Sequence, residues 1–403
     1  MRKTIATLIT LLISTSLFAT EPHGFVKTSI MMGVRGENSG KFLNRNVRTQ
    51  INIDHDLGED GNVTASFDIL YEKLINSEPE LRIIPVELYA QYSGDYWGVK
   101  AGKYYDFWGL FEWISPNDII NPWDMGHISS DIEDYRISTY GINFSMGNDI
   151  INFELNLLPL FEASIFPGFE MIKEKPAEKK ERNKIKSTEI AGKLAGTINS
   201  IGLDWDLYYF RGHKRSPDIV VETYPPQGTG GKNPQISQNL VYQKINLWGV
   251  DMSYPISSLL LKLEAAYVET EDKKGENPFL ENPYFSIVAG FDWAAMPELT
   301  FFAAYKLKSY TEYNKNIDSG IDRNQNLFML SVKYQPKDYI NFQWIALFRR
   351  DDKSFFSLPF ISYSLIDDFT VTAGAVLFYG REDSEFGKMR DYSNLLVEIK
   401  GSF

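Results

Sequence analysis

The feature that most constrains this chain is a period-two alternation of apolar and polar residues that recurs along almost its whole length. Val63, Ala65, Phe67, Ile69 and Tyr71 alternate with Thr64, Ser66, Asp68, Leu70 and Glu72. Leu203, Trp205, Leu207 and Tyr209 alternate with Asp204, Asp206 and Tyr208. Successive side chains of a strand point to opposite faces, so each run describes a strand with one apolar face and one face suited to water. The same register recurs over residues 151–157, 259–267, 285–293, 299–305, 328–334, 340–348 and 371–379.

The connections between these runs alternate between two classes. Short ones at 58–61, 93–96, 147–149, 199–200, 255–257, 294–298, 336–338 and 366–368 mostly carry the Gly, Asn, Asp or Pro of tight turns. Long ones fall at 110–133, 164–187, 213–238, 271–281, 314–323 and 380–388. A series of hairpins with turns of two lengths predicts an all-β fold, a transmembrane antiparallel β-barrel of about eighteen strands. Sixteen remain if 24–36 and 355–365, which alternate less cleanly, are not strands. Outward-facing aromatic residues cluster at both strand ends. Tyr92, Trp97, Tyr254, Trp293, Tyr334 and Tyr363 lie near short turns, and Tyr71, Tyr209, Tyr267, Tyr305, Phe348 and Tyr379 near long loops. Two membrane interfaces select two such belts. A soluble β-sandwich has no reason to gather rings at both ends of its strands.

Composition agrees with strands in a membrane. Charged residues make up 23% of the chain and the mean hydropathy is -0.26, which suits a barrel in which only alternate residues meet lipid. After Phe18 no apolar run approaches the roughly 18 to 20 residues of a spanning helix. The first 20 residues read as an export signal: Arg2 and Lys3, an apolar stretch over 5–18, and Ala19 for cleavage. Residues 21–403 are then one barrel domain. The absence of cysteine removes disulfides and thiolate metal sites, and no cofactor is expected. A net charge of -12 argues against a nucleic-acid partner.

The last strand, with Leu395, Val397, Ile399, Gly401 and Phe403 on one face, resembles the C-terminal recognition signal of bacterial outer-membrane proteins, which end in an aromatic residue, usually Phe, after alternating apolar positions. The resemblance implies a porin-like barrel in the cell outer membrane. Its partners would be the barrel-assembly machinery, through this strand, and the surrounding lipid and lipopolysaccharide.

The third outer loop is unusually apolar. It holds Trp108, Phe111, Trp113 and Trp123 together with Ile114, Ile119 and Ile120, whereas a loop bathed in water is ordinarily polar. The expectation is that it folds into the barrel and narrows the lumen at a constriction built from Trp108, Phe111, Trp113, Asp118, Trp123 and Asp124; the alternative is packing over the rim or at a subunit contact. This stretch, from Gly102 to about Arg136, also resembles the WG…PxD…NPxD segment of alginate-export channels and uncharacterised porin-like barrels, which implies about eighteen strands and hydrophilic solutes. The arginine-rich lumen of that family is not evident here, so an anionic polysaccharide substrate does not carry over.

The water-facing registers place Arg48, Lys100, Lys193, Lys262, Lys306 and Arg349 with Asp68, Glu87, Asp106, Asp204 and Asp206 around the lumen. Near balance of charge predicts weak ion preference, and most of these residues are expected to form cross-strand pairs along a solvated wall. Tyr89, Tyr104, Tyr208 and Phe210 also point inward, as lumen packing or as a sliding surface for sugars. The charged stretch 170–186 reads as a solvated, mobile loop, and Gln227–Lys232 (QGTGGK) lacks the spacing of a phosphate loop.

The function expected is passive diffusion of small hydrophilic solutes. An adhesin or surface-interaction barrel is the alternative. A hydrolase is further off, because His23, His55, His127 and His213 are scattered and no nucleophile motif accompanies them.

Overall fold

The computed structural model describes residues 21–126, 129–166, 172–182, 184–224, 235–315, 317 and 322–403. The export signal read in residues 1–20, His127 and the QGTGGK stretch lie outside the described residues.

The alternating runs become eighteen antiparallel strands. In chain order they are β1 (His23–Gly33), β2 (Phe42–Asp56), β3 (Gly61–Leu74), β4 (Glu80–Ser93), β5 (Trp97–Tyr104), β6 (Thr139–Gly147), β7 (Ile151–Leu158), β8 (Glu189–Ile198) and β9 (Leu203–His213). They continue as β10 (Lys244–Ile256), β11 (Leu259–Glu269), β12 (Tyr284–Met296), β13 (Leu299–Tyr310), β14 (Asn324–Lys337), β15 (Ile340–Arg349), β16 (Ser354–Ile366), β17 (Phe369–Tyr379) and β18 (Asn394–Ser402). Each strand pairs with its sequence neighbours, and β1 pairs with β18 from Phe25 opposite Ser402 to Gly33 opposite Asn394. Beyond that ladder Gly24 and Phe403 exchange backbone hydrogen bonds of 2.9 and 3.0 Å. The sheet therefore closes without an edge, as backbone in a bilayer requires.

The outward face carries the expected apolar residues. Val26, Ile30, Ile287, Leu330, Val397 and Ile399 are all exposed. At the long-loop end Tyr209, Trp248, Tyr267 and Phe285 form a row of touching rings, and Tyr305, Phe328 and Phe348 form another. Tyr92 with Trp97, Trp293 with Phe301 and Tyr334 with Phe342 line the short-turn end. Both irregular stretches are strands, β1 and β16, which settles eighteen over sixteen. β16 alternates poorly because its two faces are both apolar: Phe356, Leu358 and Phe360 turn inward and are buried. Outer connections are not uniformly long, since 75–79 and 350–353 join strands by only a few residues. The stretch expected to be mobile contains a short helix, Pro176–Arg182, whose Arg182 pairs with Glu174 and lies over the Phe161 ring at 4.2 Å. Nearby, Lys173–Glu174, Asp218–Tyr224 and Gln235–Val241 form a separate three-stranded sheet in the outer loops.

The wall is low where the third outer loop arises. β5 ends at Tyr104, level with Ser66 of β3 through the shared partner strand β4, whereas β3 runs on to Leu74. A bulge in β4 near Val86 ends pairing with β5, and side chains take over the freed carbonyls: Lys103 Nζ donates to Pro85 O at 2.7 Å and Ser138 Oγ donates to Val86 O. The chain thus leaves the sheet part-way up the barrel. Lipid-face and lumen-face positions should respond differently to charge. Ala289→Arg, outward on β12, should cost about 2 to 4 kcal/mol of folding stability in reversible unfolding from lipid vesicles. Gln343→Glu, inward on β15 and opposite Lys333, should change it by no more than roughly 0.5 kcal/mol.

Candidate functional site

Residues 105–138, between β5 and β6, have a neck crossed by Asn121 and by Tyr105, whose hydroxyl donates to the Arg136 carbonyl at 3.3 Å. Buried Asn121 accepts the Asp106 N–H at 2.7 Å through Oδ1 and donates to the Ile137 carbonyl at 3.1 Å through Nδ2, tying the outgoing arm to the returning one. Trp123 and Arg136 pair as an isolated bridge, and the Arg136 guanidinium stacks on the Trp123 ring at 3.4 Å. Arg136 also pairs with Asp118.

The outgoing arm meets inward-facing side chains of β10 to β13. Glu264 on β11, fully buried, is the hub: Oε1 accepts the backbone N–H of Leu110 and of Phe111, the latter at 3.0 Å, and Oε2 accepts Ser115 Oγ at 2.6 Å. Lys262 Nζ donates to Leu110 O at 3.3 Å and Lys306 Nζ to Ile114 O at 2.9 Å. Two wall glycines allow this approach. A Cβ at Gly249 would stand 2.1 Å from Asn117 Oδ1, and one at Gly290 would stand 2.9 Å from the Phe111 ring.

The returning arm meets β1, β2 and β18. Lys27 Nζ donates to Ser129 Oγ at 2.9 Å and pairs with Asp134, which also pairs with Arg48. The Ser130 N–H donates to Glu398 Oε2 at 3.0 Å, and Lys400 pairs with Asp131 at 3.4 Å. The segment is thus bonded to two separate parts of the inner wall by groups of both signs.

Apolar packing completes the attachment. Trp108 is buried against Tyr208, with ring centroids 5.1 Å apart, in a cluster with Ile120, Leu158, Phe210 and Leu247. Phe111 meets Phe302 edge-on at 5.9 Å and joins Ile114, Met329, Ile345, Leu358 and Phe360 in a second cluster, formed largely by inward faces of β12 to β18. Trp113 packs on Tyr135 and Trp123. Trp108 and Phe111 are therefore anchors that face the wall. Tyr104, Tyr208 and Phe210 do point inward, but all three are buried, so the sliding-surface alternative fails for them and packing holds.

The expected wall charges sort into two groups. Lys193 pairs with Glu154 at 2.9 Å, Lys262 with Asp292 at 2.5 Å, and Arg48 with Asp68 at 2.8 Å, as cross-strand neighbours should. Asp206 accepts from the Tyr208 hydroxyl at 2.9 Å and Asp204 from Thr197 Oγ1 at 2.7 Å. Others hold loops: Glu87 accepts the Tyr105 N–H at 3.3 Å, Asp106 accepts Asn156 Nδ2 at 2.7 Å, and Arg349 pairs with Glu385 of the last outer loop. Lys100 lies between the Tyr89 and Tyr104 rings, 4.8 and 5.6 Å from their centroids. Asp124 accepts the Gly126 N–H at 2.9 Å while its own N–H bonds Tyr135 O. The sequence reading missed Lys27, Asp134 and Arg136. The signal for Asp134 and Arg136 is the charge run Asp131–Arg136 (DIEDYR) that closes the loop; Lys27, on β1, carries no such signal.

Two loop carboxyls are perturbed in opposite directions. Burial pushes Asp118 up to about 6, an effect the adjacent Arg136 only partly offsets. At Asp134 burial is outweighed by Lys27 and Arg48, which hold the carboxyl well below the usual carboxylate range. Among the described residues no group of His, Asp and Glu side chains is arranged to hold a metal ion. His213 Nδ1 lies 3.1 Å from Glu189, and its ring packs on Phe161.

No family model matches the chain, and no curated protein matches it. Solved structures similar to it include a mutant Rh. blastica porin (10% identity, 95% of this chain and 100% of that one, TM-score 0.45). They also include OmpT, an outer membrane protein of Vibrio cholerae (10%, 95% and 97%, TM-score 0.47), and the outer membrane channel DcaP of Acinetobacter baumannii (8%, 95% and 97%, TM-score 0.45). Likenesses this distant leave the barrel to be judged by its own strand pairing. An even-stranded, closed antiparallel barrel with an apolar outer belt, two aromatic girdles and tight turns at one end belongs in the outer membrane.

The Glu264 hub and the Asp118 pair each give a measurable expectation. Glu264→Ala leaves two backbone N–H groups and a hydroxyl without their acceptor, at about 1 to 3 kcal/mol for each buried donor, so residues 108–117 should become susceptible to limited proteolysis. Asp118 binds its proton more tightly folded than unfolded, so it adds stability as pH falls from about 6 toward about 4; Asp134 does the reverse, its contribution present above about 4 and lost below it. Arg136 loses its ionic partner when Asp118 is protonated. Tryptophan fluorescence should therefore titrate with a midpoint near pH 6, and the transition should vanish in Asp118→Asn.

Proposed function

We propose that this protein is an outer-membrane channel for passive diffusion of small hydrophilic solutes, and that residues 105–138 narrow its lumen. The observation that carries the reading is the double attachment of this segment, to Glu264, Lys262 and Lys306 at one part of the inner wall and to Lys27, Arg48 and Glu398 at another. Beside it a polar cleft stays open, lined by Gln91, Lys100, Asn143, Ser145 and Glu154. Water and small solutes pass where such side chains remain uncovered, and a wall of paired opposite charges confers little ion preference.

The narrowing is tested by deleting Ser115 to Asp124 and recording single-channel conductance in planar bilayers. Current should rise by roughly half or more if the loop takes a substantial share of the cross-section, since conductance follows pore area in a water-filled barrel. An unchanged current rules out the constriction. Swelling of liposomes in sugars, amino acids and organic acids then ranks solutes by size and charge. The adhesin reading draws on the outer three-stranded sheet, which gives the loops a built surface; a folded barrel that yields no current steps would favour it. The outward row Leu395, Val397, Ile399 and Phe403 on and just beyond β18 is the segment we assign to the assembly machinery.

A further inference from the structure

We infer that the outward face of β2 to β4 near the outer loops binds a phosphate-bearing lipid of the outer leaflet, with Arg45 and Lys73 holding its phosphate. Arg45 and Lys73 are direct partners in the β2–β3 register. Direct partners share a face, and this pair points outward: the next pair towards the short turns on the same face, Val47 and Tyr71, is exposed, whereas Asn44 and Glu72 hydrogen-bond to each other on the inner side at 2.9 Å. Two like charges directly opposite one another destabilise a sheet unless a counter-ion sits between them. The carboxylates of β3 do not serve, because Asp68 and Glu72 face the lumen and bind Arg48 and Arg82. Among the described residues neither Arg45 nor Lys73 has an ion-pair partner.

The position selects the kind of anion. Tyr71 belongs to the aromatic girdle at the long-loop end, and the two cations lie one outward position beyond it, at headgroup height. The Arg45 guanidinium is already held over the exposed Phe42 ring, 5.3 Å from its centroid. On the membrane side of the pair the wall is apolar and bare: Leu81 and Ile83, partners of Tyr71 and Ile69, are 65% and 71% exposed. A ligand with a phosphate for the cations and acyl chains for Ile69, Leu81 and Ile83 satisfies both halves of the surface. Free phosphate satisfies only the first. Arg presents a fork of donors to phosphate oxygens and Lys adds a point charge, each reaching outward along an apolar stem.

The test is native mass spectrometry of the full chain in detergent, titrated with bis-phosphorylated lipid A. One lipid should be retained by the wild type, and Arg45→Ala/Lys73→Ala should weaken retention roughly 30-fold, two surface cations being lost. Lys73→Arg should keep it, as should Lys337→Ala at the opposite end of the barrel, and heat-modifiable migration in gels verifies that each variant is folded. Dephosphorylated lipid A and inorganic phosphate should both fail to be retained. Equal retention by the double variant, or equal retention of dephosphorylated lipid, overturns the proposal. So does retention of inorganic phosphate as tight as that of the lipid, or a double variant that changes oligomeric mass while holding lipid normally, which would make this face a subunit contact. Conductance is not read in this experiment, so its outcome is separate from that of the channel reading.

Discussion

Everything in this molecule depends on the ladder between β1 and β18, because backbone N–H and C=O groups in hydrocarbon have no water to fall back on. Its bonds join residues near the two ends of the described chain, and the Gly24–Phe403 exchange extends the seal to the last residue. Once the ladder closes, each strand has two neighbours, the outward residues must meet lipid and the inward ones share one enclosed volume.

That enclosed volume is not uniformly wet. The inner faces of β14 to β18 contribute Met329, Ile345, Leu358, Phe360, Val376 and Leu396 to a buried cluster that also takes in Phe111 and Ile114 from the third outer loop. Apolar side chains inside a barrel need something to cover them, and Phe111 and Ile114, from the segment that leaves the sheet where β5 ends, pack against this cluster. Burying backbone there creates its own problem, since the loop arrives with unpaired N–H and C=O groups. Glu264, Lys262, Lys306 and Glu398 answer it with charge-assisted hydrogen bonds to loop backbone, which is why these charged side chains lie inside the barrel with little exposure to water. On β4 to β7 a polar cleft is lined by Gln91, Lys100, Asn143, Ser145 and Glu154.

The same register logic that fills the interior exposes an anomaly outside. A lipid-facing strand position normally holds an apolar residue, yet Arg45 and Lys73 occupy two facing ones at the level where headgroups begin. Their placement is the basis of the anionic-lipid site inferred above.

By itself the sequence determined the all-β class, a count of about eighteen strands, the inward or outward sense of the residues in its alternating runs and the two girdles. Period two is a local property, and the requirement that one face meet lipid leaves it little freedom. The stretch least legible in this way was 355–365, where both faces are apolar for different reasons, one for lipid and one for the inner cluster. Only the tertiary structure decided what each inward residue does. Lys193 and Glu154 could be recognised as cross-strand neighbours, but Glu264 as the anchor of Leu110, Phe111 and Ser115, more than a hundred residues away, could not. A carboxylate in an alternating strand looks the same whether it faces water or three loop donors. What separates the two cases is where the loop goes, and that is set by the length of β5, the bulge near Val86, and the space left by Gly249 and Gly290.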